Sequence, residues 1–75
     1  MTAAAEASIS DRVVARLQEC LPNELEPVAE QLLLEPGVTK VVVAFALGRC
    51  RSSGPVWTEA AREIQTRYIA EEQPR

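Results

Sequence analysis

Thr39 to Leu47, reading Thr-Lys-Val-Val-Val-Ala-Phe-Ala-Leu, is the stretch that most limits what this chain can become. It holds three consecutive β-branched residues and the only phenylalanine. With a period of two, Val41, Val43, Phe45 and Leu47 fall on one face and Val42, Ala44 and Ala46 on the other, a bulky face and a small one. With a helical period the same residues leave no polar side. A helix that is apolar all round has to be buried all round, and a chain of 75 residues has little mass with which to surround one. The stretch is therefore expected to be a strand over about residues 39–47. The expected fold is a small α+β domain in the order α-α-β-α or α-β-β-α; the alternative is an all-α four-helix arrangement.

The flanking segments fill in that expectation. Residues 1–8 carry small side chains with nothing to bury and read as a disordered tail. Ser10 reads as an N-cap, with Asp11 in the first turn and Ile9 and Val14 spaced as a hydrophobic staple. Val13, Val14, Leu17, Cys20 and Leu21 form an apolar stripe, and Pro22 stops this first helix at about Leu21. Asn23 to Leu34 reads as a second helix, with Asn23 and Glu26 as a capping box and Leu25, Val28 and Leu32 as its stripe. The competing reading is a strand pairing residues 28–34 with 39–45 across Pro36-Gly37. In the helical case the strand at 39–47 has to find its partner in another subunit. Gly48 to Pro55 reads as a loop. A last helix follows to about Glu71, with Trp57, Ala61, Ile64 and Tyr68 on one face and Glu63 paired with Arg67. Residues 9–72 form one domain, and residues 73–75 are expected to fray.

Small size bounds the rest. A chain this short buries only roughly 60% of its unfolded surface, so its own core leaves a thin margin. Metals and disulfides offer little supplement, because there is no histidine and Cys20 and Cys50 lack ligand-like spacing. No cofactor or metal is expected, and self-association as a homodimer is the expected remedy. The first ten residues show neither a basic nor an apolar region of a secretory signal, and Val41–Leu47 is too short to cross a bilayer, so a cytoplasmic location is expected. Residues 1–37 hold seven acids and two bases, whereas residues 38–57 hold Lys40, Arg49 and Arg51 with no acid. The acidic front half opposes nucleic-acid binding, whose affinity comes mainly from neutralised phosphates.

The one concentrated polar constellation is Gly48, Arg49, Arg51, Ser52, Ser53 and Gly54, set just before a helix N-terminus. Two guanidinium groups, two hydroxyls and helix-start N–H groups suit an anionic ligand, phosphate or carboxylate. The Gly-Lys-Ser/Thr ending of a P-loop is missing. Cys50 lies between two arginines that could acidify its thiol. However, there is no histidine base, and Val56 occupies the arginine position of a Cys-x5-Arg phosphatase loop. Trp57 is the candidate aromatic anchor for a partner.

Two stretches resemble known families. Ala29-Glu30-Gln31-Leu32 followed by Gly37-Val38-Thr39-Lys40-Val41-Val42 resembles the helix-turn-helix of bacterial repressors, which implies a DNA-binding regulator. The spacing is about one helical turn longer, and Lys40 alone would face DNA before seven apolar residues, where base reading needs polar side chains. From Asp11 to Ile64, a helix, two strands and Gly48-x-Cys50 leading into a helix is similar in layout to NifU-type iron-sulfur scaffold domains, but Ser53 stands where that family has its second cysteine. The leading expectation is a non-catalytic protein-interaction or regulatory module acting as a homodimer. It would contact an unidentified protein through Gly48, Arg49, Arg51, Ser52, Ser53, Gly54 and Trp57, with no membrane or nucleic acid involved.

Overall fold

The computed structural model describes the backbone of residues 2–72 and the side chains of residues 9–72. Within that range the chain forms α1 (Thr2–Gln18), a 3-10 turn (Pro22–Glu24), α2 (Leu25–Leu32), α3 (Lys40–Arg49) and α4 (Pro55–Glu72). No strand occurs among the described residues. The expected α+β class is thus corrected to the all-helical four-helix alternative, and the strand at 39–47, with its supposed partner in another subunit, does not exist.

Thr39 sets the local outcome. Its backbone is extended, and its Oγ1 accepts a hydrogen bond from the Val42 N–H at 3.2 Å, an N-cap that satisfies one of the unpaired donors of α3. The strand preference of the valine run reflects fit to a half-buried pleated surface, not a backbone bias, and this chain offers no second strand to make such a surface. As a helix the segment buries Val43, Ala44, Ala46 and Leu47 between α1 and α4. Period two had grouped Phe45 with Leu47; the helix separates them, leaving Leu47 4% exposed and Phe45 64% exposed.

Several boundaries move for comparable local reasons. α1 starts at Thr2, upstream of the expected cap at Ser10, because Ala3, Ala4, Ala5 and Ala7 are strong helix formers. Ser10 is therefore internal to the helix. Met1 and residues 73–75, where a tail and fraying were expected, lie outside the described residues. α1 ends at Gln18, one turn short of Pro22. The cap preceding α2 also sits earlier than the expected Asn23–Glu26 box: the Glu24 carboxylate accepts from the Leu21 N–H at 3.1 Å, and Pro22 enters the 3-10 turn where its missing N–H costs nothing. α2 then buries Leu25, Ala29 and Leu32. Its exit needs Gly37, which has a φ of +84° and whose added Cβ would lie 3.2 Å from the Ile9 Cδ1. Gly48 and Arg49, expected in the loop, form the last turn of α3.

α3 and α4 pack antiparallel. Lys40 at the start of α3 pairs with Glu71 near the end of α4, and the Gln65 Nε2 donates to the Ala44 carbonyl at 2.9 Å midway. Trp57, Ala61, Ile64 and Tyr68 are buried on the expected face of α4. The Trp57 indole N–H donates to the Cys20 carbonyl at 3.1 Å, fastening α4 to the end of α1. Arg67 does not pair with Glu63; it reaches Glu26 on α2 at 2.7 Å and lies over the Tyr68 ring, which Lys40 also covers. Every buried side chain among the described residues is apolar. No described helix is long and apolar enough to cross a membrane.

Candidate functional site

Gln18 on α1 holds the main chain of the loop Cys50–Gly54. Gln18 accepts from the Arg51 N–H at 2.6 Å and donates to the Arg51 carbonyl at 2.8 Å, so one amide satisfies both main-chain groups of a single residue. Its Nε2 also lies 3.4 Å from the Ser53 Oγ. Ser52 shares a 2.7 Å hydrogen bond with the Thr58 hydroxyl and receives the Gly54 N–H at 3.4 Å. Gly54 itself has a φ of +111°, a conformation that admits glycine readily and other residues poorly.

These contacts redistribute the expected anion site. Arg51, Ser52, Ser53 and Gly54 are exposed together, but Ser52 is committed to the start of α4. Arg49 turns the other way: its guanidinium donates to the Ser10 Oγ at 2.7 Å and to the Asp11 carboxylate at 3.4 Å, clamping α3 to α1. Gly48 lies on the α4 side of α3, near Gln65. Trp57 is 3% exposed and belongs to the core, so the anchor expected there is not on the surface. Arg49, Arg51 and the two serines therefore do not converge on one point, and among the described residues Arg49 has an ion pair and Arg51 has none.

The cysteines offer no activated nucleophile. Burial pushes the Cys50 thiol up, against a smaller downward pull from Arg49, and its Sγ lies 3.7 Å from the Val14 carbonyl. Burial, with Glu24 beside it, likewise raises Cys20, whose Sγ is 3.2 Å from the Arg16 carbonyl. No three histidine, cysteine, aspartate or glutamate side chains gather into a metal site among the described residues.

A different surface comes forward. On α3 the outward positions are Val41, Phe45, Gly48 and Arg49, spaced i, i+4, i+7 and i+8 along one stripe. Phe45 stands out from it, while Val41 is half-buried. Between the last turn of α3 and α4 is an open hollow of about 240 Å³. Leu47, Gly48, Trp57 and Ala61 lie along it with Ser52, Thr58, Arg62 and Gln65. Gly48 makes room for the Gln65 amide, since a Cβ there would stand 3.0 Å from its Nε2. The hollow continues along the exposed flank of α4 through Thr58 and Arg62.

Sequence reasoning missed Phe45, Gln18 and Gln65 as site residues. Phe45 was hidden because residues 41–48 leave a helical wheel no polar side to mark the outward one. Nothing in the sequence marks the two glutamines, whose roles come from contacts 33 and 21 residues away.

The two family resemblances gain little from this geometry. The NifU-like layout needs two strands, and the described chain has none, so that likeness is withdrawn. α2 and α3 are both helices, as a helix-turn-helix requires, but Lys40 is paired with Glu71, Arg49 with Asp11, and the outward residues between them are apolar. No family model, curated protein or solved structure matches the chain.

Proposed function

We propose that the chain is a non-catalytic protein-interaction module of the cytoplasm that docks through the outer face of α3. The observation that carries this reading is Phe45, 64% exposed on a helix with no polar residue between Lys40 and Arg49. Single exposed apolar residues are common on protein surfaces. Here Phe45 is continuous with the half-buried Val41 and Val42 one turn earlier, and a joined apolar patch of that kind marks an interaction site. Arg51, exposed beyond the end of α3, adds a cation at the rim, where it favours an acidic partner's approach. The raised thiols and the lack of histidine support a non-catalytic role, and thiols of this kind stay reduced in the cytoplasm.

The test is site-specific photocrosslinking in the producing cell, with a benzoylphenylalanine replacing Phe45 in one sample and Glu59, an exposed residue of α4, in another. Covalent adducts with a protein, whether another copy or a different chain, from position 45 and not from position 59 are the expected result. Equal or absent crosslinking at the two positions would remove the face of α3 as a docking surface.

A further inference from the structure

We draw no further inference here: the strongest candidate, the outward apolar patch of Val41 and Phe45 on α3, belongs to the docking surface already proposed, and nothing in the structure shows what covers it.

Discussion

Leu47 and Phe45 make the sharpest test of how α3 is built, because a strand places them on one face and a helix places them on different sides. Leu47→Ala deletes a side chain only 4% exposed, between α1 and α4. Substitutions of that kind cost about 2–5 kcal/mol, the lost transfer energy plus the cavity left behind. A domain of 75 residues has about 4–11 kcal/mol of stability in total, so Leu47→Ala should remove at least about a fifth of it. At about 4–8 °C per kcal/mol for a domain of this size, a loss of about 3 kcal/mol lowers Tm by about 12–24 °C. Phe45→Ala should behave quite differently. With 64% of Phe45 already in solvent, only about a third of the usual 3–5 kcal/mol for a buried Phe→Ala change applies, and alanine's better helix propensity returns about 0.5 kcal/mol. The net cost is within about 1 kcal/mol. The assay is urea unfolding followed by circular dichroism at low chain concentration, where self-association does not contribute to stability. An unchanged m-value would confirm that both variants report stability and not a change in compactness. Equal losses for the two substitutions, or a larger one for Phe45→Ala, would refute the helical placement of this segment.

Thr39→Ala should cost about 1 kcal/mol through loss of the cap on the Val42 N–H, measured by the same urea titration. Gln18→Ala frees both main-chain groups of Arg51, so the Arg51 amide should exchange with solvent at least tenfold faster while global stability falls by about 1–2 kcal/mol. Both cysteines should react more slowly with iodoacetamide near neutral pH in the folded chain than in urea, since burial raises each thiol and less thiolate is present; faster reaction in the folded state would contradict the burial. Glu71 should titrate below the ordinary carboxylate range, held there first by its hydrogen bond from Lys40 and then by the lysine's charge. A carboxylate lowered in this way contributes stability above its unfolded pKa and loses it as pH falls through the folded value. Lys40→Met should bring the Glu71 midpoint, followed by NMR, back toward the usual range.

Much of the architecture was legible where the pattern was long and periodic. The buried face of α4, Trp57, Ala61, Ile64 and Tyr68, follows directly from spacing, and α2 from its helix-forming residues. Residues 39–47 were not legible, because an unbroken apolar run fits either period and its β-branched valines favour the wrong one. The deciding feature was Thr39, a capping residue placed immediately before the run and read only as part of it. The candidate site fared less well for a related reason. Composition drew attention to Arg49, Arg51 and the serines, but a side chain's function depends on which way it points, and Arg49 points back at Ser10 and Asp11. Trp57 was misplaced by its size: a large amphipathic ring suits an anchor and a core equally well until its indole N–H is found on the Cys20 carbonyl.

The helices of this chain treat solvent in two ways, and the contrast bears on function. α1 turns Asp11, Arg12 and Arg16 outward, α2 turns Glu26, Glu30 and Gln31 outward, and α4 turns Glu59, Arg62, Glu63 and Thr66 outward. Each is an ordinary amphipathic helix. α3 alone has an outward side of Val41, Phe45 and Gly48 before Arg49. Folding does not demand this. A glutamate at position 45 would give up little packing and would match or exceed phenylalanine in helix propensity, so the residue present is the poorer choice for an isolated domain. An apolar helix needs cover on every side, and the chain supplies two walls, α1 and α4, because α2 packs against those same two helices and not across the third side of α3. Whatever closes that side binds the folded state and not the unfolded one, and so adds to the stability of a domain too small to hold a large margin of its own. On the proposed reading, docking and folding are coupled through one helix, and Phe45 is the position at which the first would be removed with the least damage to the second.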